Sequence, residues 1–364
     1  MIDIKQIEVW LNDKQVGRLA LTPNPPYRCV FEYSSDWLKT GFSISPFELP
    51  LTQEMKIAPY HPFEGNFGVF SDSLPDGWGR LVLHRYLAKQ GINSQSLSIL
   101  QQLCLVGSNG RGALEFRPDN SVRNIKEYLK FEQIAAETDA ILHDDNYIGS
   151  HIEELMQRGG SPGGARPKIF VKEDDKEWLV KFRAKEDKQN IGVTEYRYSQ
   201  LARLCGIEIP ITKLFDNKWF GVERFDRKNG KKIHTVSVAG LLQADYTTPC
   251  IDYLHIFQIS SKLSHSVEEL WKIYRLMCFN VIIGNHDDHA KNFSFIYDNG
   301  WHFAPAYDIL PCGQKDDYHT TSVNDNPIPN KDDIIALAKK IGLNAEKANE
   351  IYENIRNIAE NYKK

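Results

Sequence analysis

The chain has 364 residues and a formal net charge of −4, which argues against a broad basic face for direct nucleic-acid binding but does not exclude a local basic patch. Hydrophobic residues make up 41 % and charged residues 25 %, as in ordinary soluble globular proteins, and the length predicts two or three packed units. The six cysteines form no C-x-x-C pair and no apolar stretch reaches membrane-spanning length, so a cytoplasmic protein with no membrane partner is expected.

The N-terminal hundred residues are predicted to be rich in β-strands. The stretch "IEVWLNDKQVGRLAL" alternates apolar and polar residues around Asn12 and Asp13, which indicates a hairpin. "YRCVFEYSSDWL" and "GALEFRP" are predicted to be further strands, and residues 79–92 a helix that ends at Gly91. The charged segment 118–158 contains two predicted helices and is expected to connect this part of the chain to a second unit.

A Gly/Pro-rich cluster at residues 159–168, "GGSPGGARPK", opens a different pattern. Two short apolar runs, "KIFVK" and "EWLVKF", a helix over 193–207, and the strands "ITKLF" and "KWFGVERF" predict a small sheet with one helix. Beyond about residue 235 the pattern is mainly helical, with a hairpin at 293–306 and a final pair of helices. This order predicts an α+β lobe followed by an α-rich lobe.

The hairpin after the glycines places two lysines together. If "EDDK" is a four-residue loop, Lys172 pairs with Glu177, and Lys168 faces Lys181 at the end of the hairpin next to the glycines. Like charges side by side repel unless they share an anion such as a triphosphate, which glycine N–H groups can also approach. A flexible linker has the same composition, however, and surface lysines are usually solvated. A buried Lys181 would need a carboxylate, for which Glu195 is the nearest candidate by topology.

The polar loop "GNHDDHAKN" (residues 284–292) follows a predicted buried helix and precedes the C-terminal hairpin. If Tyr297 pairs with Trp301 in that hairpin, Asn292 and Asp308 converge on one cation, each through an oxygen atom. Oxygen ligands from an amide and a carboxylate suit Mg²⁺, which takes its other ligands from water and phosphates. The sequence therefore predicts a magnesium site formed by Asn292 and Asp308.

Asp287 lies five residues before Asn292, which is the D-x-x-x-x-N spacing of a kinase catalytic loop. In this interpretation Asp287 accepts the proton of an attacking hydroxyl group. Lys291 would neutralise the charge that develops on the transferred phosphoryl group.

Other interpretations of the polar loop stay open. His286 and His289 could bind zinc or manganese in a metallohydrolase, since imidazole suits those metals. Both histidines could instead be structural, which is the interpretation favoured for His289. Asp288 is expected to take no part in the chemistry.

The segment "GVERFDR" (221–227) lies where the strand-rich part of the chain gives way to the helical part. Its extended backbone could offer hydrogen-bonding groups to a flat heterocycle, with Phe225 packed beside it. An ordinary strand between domains has the same pattern.

These motifs together resemble the HipA family of toxin kinases, over nearly the whole length of the chain. The family's N-x-D-x-H-x-K-N loop is similar to "NHDDHAKN", its metal-binding aspartate falls in "AYDIL", and "NFGVFSDSLPDGWGR" (66–80) is similar to its N-terminal subdomain. The resemblance implies autophosphorylation of Ser161, catalytic roles for Asp287 and Lys291, metal binding by Asn292 and Asp308, and a structural ion pair that includes Glu195. It also implies that ATP is bound by Ser161, Gly163, Gly164, Ala165, Lys168, Lys181, Glu223, Phe225, Asp226 and Tyr307.

The resemblance further implies a two-lobed, protein-kinase-like α+β fold. Its parts would be an N-terminal subdomain over residues 1–118, a kinase N-lobe over 119–225, and an α-helical C-lobe over 226–364. The implied activity is Mg-ATP-dependent phosphorylation of serine or threonine on a cytosolic protein, with an aminoacyl-tRNA synthetase as one candidate. The implied partners are a HipB-like helix-turn-helix antitoxin and, mainly through it, operator DNA. A catalytically silent corepressor that binds the antitoxin is the main alternative.

Overall fold

The computed structural model of the chain describes residues 4–123, 125, 128–159, 164–312 and 318–362. The chain divides into two compact units: unit 1 contains Met1–Val193 and Lys213–His234, and unit 2 contains Thr194–Thr212 and Thr235–Lys364. The polypeptide therefore passes from one unit to the other three times. The three-part division into residues 1–118, 119–225 and 226–364 remains a prediction.

The first sheet of unit 1 has the strand order β4-β3-β2-β1-β5. Its strands are β1 (Gln6–Leu11), β2 (Lys14–Leu21), β3 (Cys29–Tyr33), β4 (Lys56–Ile57) and β5 (Leu114–Arg117). The predicted first hairpin is confirmed, because β1 and β2 pair in antiparallel orientation on either side of Asn12 and Asp13. These two residues have φ angles of 45° and 66°, the left-handed conformation that a tight type I′ turn requires and that Asn and Asp tolerate well.

The helices next to this sheet are α1 (Ser35–Thr40), α2 (Gly68–Ser71), α3 (Gly77–Lys89) and α4 (Ile99–Val106). The predicted helix over residues 79–92 is confirmed as α3. The prediction that "YRCVFEYSSDWL" is a strand throughout is wrong in its second half, where α1 begins. The side chain of Ser34 accepts a hydrogen bond from the Trp37 N–H group at 3.2 Å, so it ends the strand and caps the helix.

The second sheet of unit 1 has the strand order β6-β7-β9-β8. Its elements in chain order are α5 (Phe131–His143), α6 (Ile152–Gly159), β6 (Lys168–Glu173), β7 (Lys176–Lys181), α7 (Ile191–Leu204), β8 (Thr212–Phe215) and β9 (Trp219–Glu223), of which α7 and β8 cross the boundary between the units. The ring of Phe131 on α5 lies 5.2 Å from that of Phe215 and 5.5 Å from that of Trp219, so this helix packs on the sheet through aromatic contacts.

Unit 2 is mainly helical, as predicted. After the short hairpin β10 (Arg227–Lys228) and β11 (Lys231–Lys232) of unit 1, the chain continues as β12 (His234–Ser237), α8 (Val238–Leu242), β13 (Ile251–Asp252), α9 (Tyr253–Leu263), α10 (Val267–Ile283), β14 (Ser294–Tyr297), β15 (Trp301–Phe303), β16 (Thr321–Ser322), α11 (Lys331–Lys340) and α12 (Ala345–Tyr362). Strands β12, β14 and β15 form one small sheet, and β13 pairs with β16 in parallel; the first residue of β12, His234, still belongs to unit 1. The predicted C-terminal hairpin and final helix pair are therefore confirmed.

Helix α10 is the buried helix that delivers the polar loop. Its residues Ile273, Tyr274, Met277 and Cys278 are fully buried, as their helical spacing predicts. The helix ends at Gly284, whose φ of 73° is left-handed and whose N–H group bonds back to the helix. The polar loop thus begins at a defined point and direction. Within the described part of the chain, no helix is both long and apolar enough to cross a membrane.

Candidate active site

The polar loop is anchored in unit 2 by asparagine side chains. The Asn285 side-chain amide donates to the side-chain oxygen of Asn280 on α10 at 3.1 Å and to the backbone oxygen of Asp308 at 3.2 Å. Asn285 is itself only 2 % exposed. The loop is therefore tied both to the helix before it and to the segment that carries Asp308.

Asp288 lies at the centre of a buried hydrogen-bond network. Its carboxylate is 0 % exposed and accepts hydrogen bonds from the Tyr253 hydroxyl at 3.2 Å, His319 Nδ1 at 3.1 Å and the Thr321 N–H group at 3.1 Å. Burial raises the pKa of Asp288, and the bonds from His319 and Thr321 oppose this shift. Asp288 is thus a structural anchor of the loop, a role that sequence reasoning missed.

Asp287 has the opposite environment, since 63 % of its side chain is exposed. Its backbone is nevertheless fixed: the N–H group donates to Sγ of Cys312 at 3.1 Å, and the carbonyl oxygen accepts from the side-chain amide of Asn292 at 2.6 Å. His289 Nε2 lies 3.9 Å from an Asp287 carboxylate oxygen. An accessible carboxylate on a fixed backbone is the arrangement expected of a proton acceptor.

The C-terminal hairpin brings the neighbours of Asn292 and Asp308 together. Tyr297 pairs with Trp301 as predicted. The hydroxyl of Tyr307 donates to the backbone oxygen of Lys291 at 2.8 Å, so the residue before Asp308 contacts the residue before Asn292. The geometry between the two proposed ligand atoms themselves remains a prediction.

Two local features fit oxygen ligation of a cation by these residues. The amide nitrogen of Asn292 is used in its bond to Asp287, which leaves the amide oxygen available for the predicted metal ion. Asp308 has a φ of 52°, an uncommon conformation that non-glycine residues adopt most often at turns and functional sites. Among the described residues, no group of three or more His, Cys, Asp or Glu side chains is placed to hold a metal ion.

Lys291 packs against an aromatic ring. Its ammonium nitrogen lies 4.2 Å from the centre of the Tyr246 ring, which itself lies 5.8 Å from the ring of His289. The backbone of Lys291 is held by Tyr307, as described above. Tyr246 was not identified from the sequence, because it lies 45 positions earlier in an irregular segment.

In unit 1, Lys168 and Lys181 face each other as predicted. They are paired residues of β6 and β7, and they are only 3 % and 7 % exposed. The pairing of Lys172 with Glu177 is also confirmed. The predicted four-residue loop is wrong in length, because Glu173 still pairs with Lys176 and only two residues with positive φ form the turn. Burial rules out the interpretation that these two lysines are ordinary solvated side chains.

The glycine-rich segment is described from Gly164 onward, and hydrogen bonds with Asp76 and Trp78 hold Gly164 in place. The Gly164 N–H group donates to the carboxylate of Asp76, and the Trp78 N–H group donates to the Gly164 oxygen at 3.1 Å. Gly164 has a φ of 98°, a left-handed conformation that favours glycine, and a Cβ atom here would lie 2.7 Å from the Lys168 ammonium nitrogen. Ala165 is exposed.

Three predicted residues cannot be placed in a described geometry. Ser161 and Gly163 lie outside the described residues. Glu195 is 7 % exposed and belongs to unit 2, whereas its proposed partner Lys181 belongs to unit 1. That ion pair therefore remains a prediction.

Arg224, Asp226 and Arg227 form a buried ion-pair network within unit 1. The Asp226 carboxylate accepts from Arg224 at 2.8 and 2.9 Å and from the Gly112 N–H group at 2.7 Å, and Arg227 lies 3.2 Å away. Burial opposes ionisation of Asp226, but the two guanidinium groups outweigh it and lower its pKa below the usual range. Glu223 pairs with Lys176 at 2.8 Å.

This network changes how the predicted nucleotide contacts are interpreted. The Asp226 carboxylate is occupied by structural partners, so its proposed contact with the nucleotide remains a prediction without geometric support. Glu223 and Phe225 are partly exposed. The sequence could suggest the pair of Arg224 and Asp226, but not their distant partner at Gly112.

Comparison with known proteins covers most of the chain. The HipA N-terminal domain family matches residues 7–117, and the HipA-like C-terminal domain family matches residues 160–362. The serine/threonine-protein kinase toxin HipA of Shewanella oneidensis is 23 % identical over 351 residues, which cover 86 % of this chain and 76 % of that protein. A Sinorhizobium fredii protein named as a candidate kinase, Y4dM, is 24 % identical over 305 residues, which cover 76 % of this chain and 69 % of that protein.

A solved structure shares the fold. It is the Shewanella oneidensis complex of HipA, HipB and operator DNA, in which one chain matches with a TM-score of 0.74 and 19 % identity, over 98 % of this chain and 89 % of that chain. At this level of identity the likeness concerns the fold alone. It confirms the predicted kinase-like α+β fold.

Proposed function

The chain belongs to the HipA family, and from this premise we propose that it is a Mg-ATP-dependent serine/threonine protein kinase acting as the toxin of a toxin–antitoxin pair. The observation that carries the proposal is the polar loop of unit 2. There an exposed carboxylate, Asp287, lies on a fixed backbone that is bonded to Asn292 and linked through Asn285 to Asp308.

In the proposed reaction, the hydroxyl oxygen of an acceptor serine or threonine forms a bond to the γ-phosphorus. The hydroxyl proton passes to the carboxylate of Asp287, and the bond to the leaving ADP breaks. Lys291 stabilises negative charge on the transferred group. Mg²⁺, when bound, neutralises charge on the phosphates, and Asn292 and Asp308 are the residues that would hold it.

The nucleotide is proposed to bind mainly through unit 1. The buried pair Lys168 and Lys181 supplies two positive charges for the phosphates, and the Lys168 ammonium group lies beside Gly164. This proposal extends to the remaining predicted contacts, namely Ser161, Gly163, Gly164, Ala165, Glu223, Phe225, Asp226 and Tyr307. Ser161 is also the proposed site of autophosphorylation.

The partners are proposed from the family. The similar structure is a complex of HipA with HipB and operator DNA, which supports a HipB-like antitoxin here. Contact with operator DNA is proposed to run mainly through that antitoxin. The substrate is proposed to be a cytosolic protein, with an aminoacyl-tRNA synthetase as the candidate. Phosphoproteomics after brief induction, comparing wild type with Asp287→Asn, would identify it.

Incubation with labelled ATP and magnesium tests the activity. Wild type is expected to become labelled at Ser161, Asp287→Asn to remain unlabelled, and Asp332→Asn, a control at an exposed helix terminus, to be labelled like wild type. Intact mass must first show that Ser161 is not already phosphorylated.

A folded, unphosphorylated wild type that stays unlabelled would contradict the proposal. If Mg-ATP still raised its unfolding temperature, the result would favour the alternative of a catalytically silent antitoxin-binding module.

A further inference from the structure

The thiol of Cys312 lies at the point where the polar loop meets the segment after Asp308. Its Sγ accepts the Asp287 N–H group at 3.1 Å and lies 3.6 Å from the side-chain oxygen of Asn285, to which the S–H group points as donor. The same cysteine is fixed by its backbone, since its N–H group donates to the Gly284 oxygen at 3.1 Å. One side chain thus bonds both to the proposed proton acceptor and to the asparagine that anchors the loop.

The state of the thiol suits this double role. Burial raises the pKa of Cys312, with further shifts from the neighbouring loop, so the group stays a neutral thiol at physiological pH. A neutral thiol can accept one hydrogen bond and donate another at the same time. A thiolate would lose the donor that faces Asn285.

The contacts of Asn285 extend the network. Its amide nitrogen reaches Asn280 on α10 and the backbone oxygen of Asp308. The thiol is therefore linked to the backbone at Asp308 by two hydrogen bonds through Asn285, and to the backbone of Asp287 by one hydrogen bond. Without it, the Asp287 N–H group loses this acceptor, while the bond from Asn292 to the Asp287 carbonyl oxygen remains.

We propose that Cys312 is a positioning residue for phosphoryl transfer, which holds the backbone of Asp287 so that its exposed carboxylate meets the acceptor hydroxyl. This inference rests on the proposed kinase function. It does not require any reaction of the thiol itself. The role belongs to the hydrogen-bonding atom at this position, so serine should substitute for cysteine in part, whereas alanine should not.

The test compares Cys312→Ala, Cys312→Ser and Cys205→Ala for autophosphorylation as a function of Mg-ATP concentration. Cys205 is the matched control, a buried cysteine of unit 2 in another part of the fold. Cys312→Ala is expected to lower the maximal rate roughly three- to tenfold, the effect of one hydrogen bond, with the half-saturating Mg-ATP concentration unchanged. Cys312→Ser should recover most of the rate, and Cys205→Ala should retain it.

Amide hydrogen exchange at Asp287 gives a second readout that does not depend on activity. In the nucleotide-free protein, protection of the Asp287 N–H group should be lost in Cys312→Ala and kept in Cys312→Ser. The two experiments test the two proposals separately. An inactive wild type in the labelling assay would reject the kinase function, whereas the exchange data would still test the hydrogen bond between Asp287 and Cys312.

Two outcomes would overturn the positioning role. One is a Cys312→Ala variant with the maximal rate and the Asp287 protection of wild type. The other is a Cys312→Ser variant as slow as Cys312→Ala although both unfold at the wild-type temperature, because a hydrogen-bonding role predicts rescue.

Discussion

At the scale of single residues, the adjacent aspartates Asp287 and Asp288 differ in their surroundings and therefore in the roles expected of them. Asp287 is largely exposed, whereas Asp288 is fully buried and accepts bonds from three different segments. Neighbouring residues with identical chemistry can differ in this way because the loop turns one side chain outward and the next inward.

This difference predicts that a substitution at Asp288 mainly lowers stability, whereas a substitution at Asp287 mainly lowers activity. Asp288→Ala should lower the free energy of unfolding by about 3–5 kcal/mol, because it leaves buried donors, including His319, without their acceptor. Asp287→Ala should change stability by less than about 1 kcal/mol but abolish phosphoryl transfer. Denaturant unfolding and labelled-ATP assays on both variants check this, and equal stability losses would contradict it.

A buried histidine predicts a pH dependence of stability in unit 1. His234 is 1 % exposed and donates from Nε2 to the Ile44 oxygen at 2.8 Å. Burial lowers its pKa from 6.5 to about 4, and the bond to Ile44 opposes this only in part. Because the folded pKa is depressed, the contribution to stability is fully present above pH 6.5 and is lost as the pH falls towards 4.

The expected loss over this range is about 3 kcal/mol. His234→Gln keeps an N–H donor but does not titrate, so the stability of wild type relative to this variant should fall by that amount between pH 6.5 and 4. Urea unfolding at several pH values measures the difference. A constant difference across the range would show that His234 is not held neutral.

At this scale, the sequence revealed only those relationships between residues that are close together along the chain. The spacing from Asp287 to Asn292 is local, so it could be recognised without a structure. The partners of Asp288 lie 31 to 35 positions away, and Cys312 lies 25 positions from Asp287. Such contacts arise from packing and leave no periodic signal in one sequence.

At the scale of elements, the β6–β7 hairpin predicts where nucleotide affinity resides. Mg-ATP is expected to raise the unfolding temperature of wild type, and Lys181→Met to lose most of this shift, because a buried positive charge would be missing. Lys172→Met is the matched control, since Lys172 lies on the same hairpin but 70 % of its side chain is exposed. Equal nucleotide-induced shifts in both variants would argue against phosphate binding by Lys181.

Helix α1 provides a test of the cap that sequence reasoning overlooked. Ser34 accepts from the Trp37 N–H group and donates to the Gln15 oxygen at 2.7 Å. Ser34→Ala should therefore lower the free energy of unfolding by about 1 kcal/mol. The exposed neighbour Ser35 is the control, and Ser35→Ala should be close to neutral in the same chemical denaturation experiment.

The elements differed in how well local pattern predicted them. The tight hairpin at Asn12–Asp13 was predictable because few non-glycine residues tolerate two successive positive φ angles. The register of the β6–β7 hairpin is also predicted by the sequence, but its two-residue turn at Asp174–Asp175 is shorter than the predicted four-residue loop. The start of α1 was missed because "FEY" alternates as in a strand and the prediction extends the strand over the whole stretch, although the alternation ends at Ser34, whose capping preference marks the helix.

At the scale of the whole molecule, both units are built from two separate stretches of the chain. In unit 2, the buried residues Leu201 and Ile207 come from the early stretch, and Glu208 accepts the Ala306 N–H group at 2.8 Å and pairs with Lys272 at 2.9 Å. A single sequence does not reveal this arrangement, because these contacts join positions more than sixty residues apart.

A fragment of residues 235–364 should therefore fail to fold cooperatively, whereas a fragment of residues 194–364 retains the early stretch. Circular dichroism during heating should show a cooperative transition only for the longer fragment. Cooperative melting of residues 235–364 alone would mean that the early stretch is dispensable for unit 2.

Because unit 2 is built from two separate stretches of the chain, it also matters when each stretch is synthesised. Residues 194–212 leave the ribosome long before α12, whose Ala348 oxygen accepts the hydroxyl of Tyr274 on the helix that carries the polar loop. At synthesis rates of roughly 5–20 residues per second, that interval lasts roughly seven to thirty seconds. Until α12 has been synthesised, α10 lacks this contact, so unit 2 completes its fold long after its first stretch has left the ribosome.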